Sequence, residues 1–141
     1  MKNLTIVMYH YVRELQHSRF PEIKGLDTSL FKEQIAYLQK HYNPISAYDL
    51  MDAIEFDADL PPNPLLLTFD DAYVDHFTDV YPVLDKENIP GCFFPPAACI
   101  LNRQVLDVNK IHFVLASVTD KSLLVDSVNQ SIDENRATFG L

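Results

Sequence analysis

Apolar positions along the chain fall into two patterns, short unbroken runs and longer stretches at helical spacing. Residues 4–9, LTIVMY, form a β-branched apolar run that predicts a strand buried on both faces, with His10 directly at its end. The 15 residues 11–25 show no sustained period and include Pro21 and Gly25, so a loop is expected, long enough to suggest a functional one. From Asp27 the period changes. Phe31, Ile35, Leu38 and Tyr42 recur at helical spacing behind Asp27, Thr28 or Ser29 as N-cap, which predicts a helix to about His41. Asn43 and Pro44 end it, and Ile45 is expected to be a brief extended step. Ser46 with Asp49 resembles a capping box and opens a shorter helix through Leu50, Ala53 and Ile54.

Residues 65–73, LLLTFDDAY, are the centre of the pattern. Leu65, Leu66, Leu67 and Phe69 predict a short buried strand, preceded by Pro61, Pro62 and Pro64 and ending in two adjacent carboxylates, Asp70 and Asp71. Tyr73, Phe77, Val80, Tyr81 and Leu84 then form a helical stripe, in which Pro82 implies either a kink or a fresh first turn. Residues 88–91 predict a turn, and Cys92, Phe93 and Phe94 a third strand. The order of strand, helices, strand, helix, strand indicates a parallel sheet with right-handed crossovers. Downstream, Val108, Ile111, Leu115 and Val118 predict the apolar face of one helix, with Asn109, Lys110 and His112 on or near its other side. Asp120 or Ser122 is expected to cap another, carrying Leu124, Val128 and Ile132. The chain reaches Thr138, Phe139, Gly140 and Leu141 with no further strand, too few for a closed barrel.

Composition narrows the function classes. At 48% hydrophobic and 22% charged, the 141 residues can build one globular core or part of one. Eleven basic against 20 acidic residues leave a net charge of −9, which excludes a basic nucleic-acid footprint and a surface held to anionic lipid. A neutral substrate suits this charge better than a polyanion. The N-terminal apolar run is too short for a signal-peptide core, no stretch approaches the ~20 apolar residues of a membrane helix, and a cytoplasmic chain is expected. Cys92 and Cys99 are expected to be two small buried or half-buried thiols and not a disulfide framework.

The aspartates carry the candidate chemistry. At the carboxyl end of a parallel strand, two acids repel each other and are costly to desolvate unless neutralised, which a divalent metal would do. Alternating side-chain directions suggest that one holds a metal while the other accepts a proton from water. Equally open is a structural reading, one carboxylate capping a helix near Ala72 and the other solvated. His10, at the end of the neighbouring strand, is a candidate lining residue, although a lone histidine there is more often structural. His76, beside Asp75 and Asp79, is expected on a partly exposed polar face. Successive histidines lie 7, 24, 35 and 36 residues apart, so none form a ligand pair on one turn. With only three glycines a phosphate-binding loop is excluded.

The stretch LTFDDAYVDHFTDVYPVLDKENIPGCFFP resembles the first motif region of the polysaccharide deacetylases, carbohydrate esterase family 4, also called the NodB homology domain. Members show a TFDDG-type motif, a helix with a YP(I/V)L segment and an IPATFF-type strand. VMYHYV, and FKEQIAYLQKHY leading to ISAYDL, are similar to the start of such proteins, so the likeness covers residues 4–96. The resemblance implies an α/β fold, an incomplete distorted (β/α) barrel, that removes N-acetyl groups from a carbohydrate. It implies Asp70 as catalytic base and Asp71 as ligand to a divalent metal, usually zinc. Residues 97–141 look like a mainly helical insertion or continuation.

The departures are specific. No H-(S/T)-x-x-H motif is present to complete the metal site, and the later arginine, aspartate and histidine motifs are missing. Ala72 stands where glycine is usual. The remaining ligands are expected beyond Leu141 or on a partner chain, and this chain alone is expected to be inactive. A deacetylase-like module that binds a sugar or a protein without turnover is the alternative.

Overall fold

The computed structural model describes residues 3–140; Met1, Lys2 and Leu141, which the readings of the two chain ends touch, lie outside them. A parallel sheet is built around strand β5 (Pro64–Asp70). Strand β1 (Thr5–Tyr9) pairs along one edge, from Thr5 opposite Leu65 to Tyr9 opposite Phe69. The other edge of β5 is shared. Strand β4 (Asn43–Pro44) pairs at its start and β6 (Cys92–Phe94) at its end, with Phe94 opposite Asp70. The expected loop after His10 is partly ordered, because β2 (Val12–Arg13) pairs in parallel with β3 (Leu26–Asp27) and buries Val12 completely. The described residues form no closed barrel.

One face of this sheet is covered. Leu65, Leu67 and Phe69 of β5 and Tyr9 of β1 pack against Phe31 and Ile35 of α1 (Thr28–His41) and against Val80, Leu84 and Ile89. Burying Phe31 and Ile35 contributes about 1.5–3 kcal/mol each. The helix starts as the pattern predicts, with the Asp27 carboxylate accepting from the Ser29 amide. Helix α2 (Ala47–Glu55) carries a complete capping box, Ser46 and Asp49 bonding each other's backbone amides. Pro82 begins a new helix: a π-helical turn (His76–Val80) runs into α3 (Tyr81–Lys86), whose first turn holds the proline where no amide donor is missed.

The opposite face is open at its β1 end, although Leu66 and Thr68 of β5 are themselves buried. Side chains alternate along a strand, so Leu66 and Thr68 share that face with Ile6 and Met8, their register partners in β1. Ile6 and Met8 are exposed, which corrects the expectation of a strand buried on both faces: no described element covers the β1 end of this side.

Helices α4 (Ala97–Asn102), α5 (Asp107–Ser117) and α6 (Lys121–Phe139) complete the described chain. Asp120 caps α6, and Gly140, in the left-handed region at φ 67°, closes it. Among the described residues of these three helices only Asn109 is buried. The predicted face of α5 is therefore inverted. Val108, Ile111 and Leu115 are exposed, while Asn109, Phe113 and Ala116 turn towards the rest of the protein. Apolar residues occupy nearly every phase of this helix, so periodicity alone does not select the packed side.

Candidate active site

Parallel register brings the first two candidates together. Tyr9 lies opposite Phe69, so the next residues along each strand, His10 and Asp70, emerge side by side at the carboxyl end of the sheet. Asp70 follows Leu66 and Thr68 in phase and therefore stands on the open face. Its Oδ2 is 4.0 Å from His10 Nε2, with the two side chains 32% and 46% exposed. Both are reachable by a ligand.

The His10 backbone is held from beneath. His76 Nε2 donates to the His10 carbonyl at 2.7 Å, and the ring packs edge-on to Phe69 and Tyr73. His76 is only 4% exposed, not on the partly exposed polar face expected for it. The flanking acids misled that expectation: the π-helical turn, wider than an α-helical one, places His76 inward while Phe77 and Thr78 stay in solvent. The bond to His10 places the ring proton on Nε2, leaving buried Nδ1 without a partner.

Asp71 is set differently. It is no longer extended: Asp71 and Ala72 both lie in the left-handed region, at φ 73° and 50°. The turn is pinned to β6 by the Asp71 amide, which donates to the Phe94 carbonyl at 3.2 Å. The two carboxylates diverge because the backbone reverses, and not through strand alternation. The Asp71 Oδ2 accepts from the Tyr73 hydroxyl at 2.6 Å, not from a helix amide as the capping reading requires.

Behind Asp71 lies an aromatic and amide cluster that the sequence did not signal. Tyr73 stacks on Tyr11 with ring centroids 4.2 Å apart. Asn109 of α5 donates to the Tyr73 hydroxyl at 2.7 Å and to the Tyr11 hydroxyl at 3.0 Å. Burial, and then the bond to Asp71, push the Tyr73 hydroxyl far above its ordinary pKa, so it stays a donor. Arg13 pairs with Asp75 on the same side and lies over the Tyr11 ring. The hydrogen bonds and ring contacts join residues 11, 73 and 109, separations that no local pattern encodes.

The other histidines stand apart. His17 pairs with Glu14 in solvent, and His41 packs on Tyr37 at the end of α1. His112 meets Tyr11 and not the site carboxylates, its ring edge-on to the Tyr11 ring and its Nδ1 3.4 Å from the hydroxyl. Cys92 and Cys99 are unbridged and half-buried. A recess of about 520 Å³ between α1 and α3, lined by Thr28, Lys32, Thr78, Asp79 and Lys86 among others, includes neither site aspartate. Among the described residues no three His, Cys, Asp or Glu side chains converge in a way that would hold a metal ion. Asp71 has one oxygen engaged by Tyr73 and a second outside that bond, but the described residues do not supply a complete coordination set.

Comparison with known proteins bears on this arrangement. Residues 57–112 match the family model described as polysaccharide deacetylase. Over 91 residues the chain is 32% identical to the poly-β-1,6-N-acetyl-D-glucosamine N-deacetylase of Escherichia coli, covering 63% of this chain and 13% of that protein. A de-N-acetylase from Aggregatibacter actinomycetemcomitans superposes with a TM-score of 0.61 at 24% identity, over 73% of this chain and 42% of the other. IcaB from Ammonifex degensii superposes with a TM-score of 0.52 at 28% identity, over 67% of this chain and 40% of the other. The chain thus spans about an eighth of the curated relative and less than half of either solved structure. The superpositions show the expected fold, an open part of a deacetylase-type (β/α) barrel.

Proposed function

Because residues 57–112 of this chain match the polysaccharide deacetylase family model, we propose that it supplies one wall of a carbohydrate N-deacetylase site, with Asp70 as the general base. Hydrolysis adds water to the acetamide carbonyl carbon and breaks the carbon–nitrogen bond, giving acetate and a free amine on the sugar. The base must take a proton from the attacking water, so it has to be ionised, solvent-accessible and within reach of the substrate. One observation carries the assignment: Asp70 ends the central parallel strand on the open face, partly exposed, facing the His10 ring at 4.0 Å. His10 lines the same edge and orients the carboxylate or the water it activates.

Asp71 takes the second role, as one ligand to a divalent metal, zinc by the family resemblance. Tyr73 occupies one of its oxygens and leaves the other free. The metal when bound would polarise the amide carbonyl. Its other ligands come from outside these residues, so the 141-residue chain alone does not turn over substrate. The substrate class is an N-acetylated polysaccharide, with a β-1,6-linked N-acetylglucosamine polymer supported by the Escherichia coli relative. An uncharged polymer of this kind is compatible with a net charge of −9.

Acetate release from N-acetylglucosamine oligomers, by the natural polypeptide that contains these residues and with zinc supplied, tests the reading. Asp70→Asn keeps the shape and removes the base, and turnover is expected to fall by about 10²–10⁴-fold. Undiminished turnover in that variant would remove Asp70 from the mechanism.

A further inference from the structure

We infer that Asn109 is a positioning residue for Asp71, acting through the Tyr73 hydroxyl, so that α5 is part of the site and not an appendage to it. The inference rests on the reading of Asp71 as a site carboxylate.

An ionised carboxylate can only accept, so the 2.6 Å contact between Asp71 Oδ2 and Tyr73 Oη puts the single phenolic proton on that bond. Tyr73 Oη then has only lone pairs to offer elsewhere. The Asn109 atom 2.7 Å from it must therefore be the amide nitrogen, which the second bond, to Tyr11 Oη at 3.0 Å, also accommodates. Both Asn109 donors are spent on tyrosine oxygens. With Asn109 donating, the Tyr73 proton cannot turn towards the amide without placing two donors face to face, and the Asp71 carboxylate is the acceptor at 2.6 Å.

Burial makes this arrangement costly to undo. Asn109 is 7% exposed and is the one buried side chain of α5, on a helix whose aliphatic residues largely face solvent. A polar side chain is retained there because Tyr73 and Tyr11, stacked at 4.2 Å, present two oxygens that need a donor between them. The consequence is directional: one Asp71 oxygen is tied to the protein and the other is presented at the sheet edge. Side chains that orient a ligating carboxylate typically change metal affinity or activity by about 10–100-fold when removed.

The test has two independent readouts. In the 141-residue chain, NMR should show the Tyr73 phenolic proton as a slowly exchanging resonance with a cross-peak to the Asn109 side-chain amide. Tyr73→Phe keeps the ring stack and should shift the Asp71 carboxyl carbon. Asn109→Asp, nearly isosteric but an acceptor where the wild type donates, should shift it likewise and abolish the cross-peak. In the natural polypeptide, Asn109→Asp should lower acetate release by about 10–100-fold, with KM for the oligomer unchanged. An Asp71 carbon resonance that stays at its wild-type position in both Tyr73→Phe and Asn109→Asp overturns the inference, since the backbone amide pattern reports independently that each variant is folded. A wild-type polypeptide that releases no acetate but shows these shifts refutes the deacetylase reading and leaves the positioning of Asp71 standing.

Discussion

Replacing Ala72 by glycine should stabilise this protein, the reverse of what that change does almost anywhere else. Ala72 is exposed and lies at φ 50°, directly after Asp71 at φ 73°. A left-handed conformation costs a residue with a Cβ about 1–2 kcal/mol, and glycine escapes that cost. Against it stands the greater freedom glycine has when unfolded, about 0.5–1 kcal/mol. The methyl group is in solvent, so little packing is lost. The difference favours Ala72→Gly by about 0.5–1 kcal/mol, equivalent to about 2–4 °C in Tm for a chain of this size. Urea denaturation followed by circular dichroism reads it as a higher midpoint at unchanged slope. The control is Ala36→Gly, within α1, which should destabilise by about 1 kcal/mol. If both variants lower the midpoint alike, Ala72 is not strained in solution and the picture of the Asp71–Ala72 turn is wrong. Relaxing the turn also tests its catalytic side, because a strained turn that aims Asp71 would gain stability and lose turnover together.

Two further outcomes follow from groups outside the site edge. Arg13 and Asp75 are 16% and 13% exposed and paired, so Asp75→Ala strands a buried guanidinium and should cost about 3 kcal/mol, whereas Arg13→Met with Asp75→Leu should recover most of it; a urea midpoint for Asp75→Ala equal to wild type would show the pair to be solvated. Asp27, Asp49 and Asp120 have carboxyls held below their ordinary range by hydrogen bonds at helix starts, from Ser29, Ser46 and Ser122. A lowered folded-state pKa contributes stability that is present above the unfolded value and lost as pH falls through the folded one. Helicity at 222 nm should therefore decline below about pH 4, and Asp27→Asn should flatten part of that decline; an identical acid profile in the variant would argue that the α1 cap does not contribute.

Much of this architecture was legible in the chain because it is locally determined. Leu65, Leu66, Leu67 and Phe69 mark a buried strand by an unbroken apolar run, and Asp70 and Asp71 mark its end. Asp27 and Ser46 start helices by bonding amides two or three residues away, a range over which sequence and space coincide. Pro82 was legible in part: its missing amide allows a kink or a first turn, and the structure takes the first turn. What depended on distant partners was not legible. Ile6 and Met8 are as apolar as Leu66, yet they face solvent because no described element covers the β1 end of that side of the sheet.

The aspartates divide along the same line. The residues themselves determined that two carboxylates end a buried strand, and the resemblance of the surrounding motif implied a separate role for each. Tertiary structure alone decided how they are held. Parallel register, set by pairing between residues 60 apart, brings His10 beside Asp70. A left-handed turn, fastened by the Phe94 carbonyl, points Asp71 away from its neighbour. Asn109, which the helical pattern assigned to the outside of α5, is drawn inside because two tyrosine oxygens there require a donor. Hydrophobic period records only what a segment offers; the side it buries is chosen by the surface it meets, and here that surface is aromatic with two hydroxyls for the Asn109 amide.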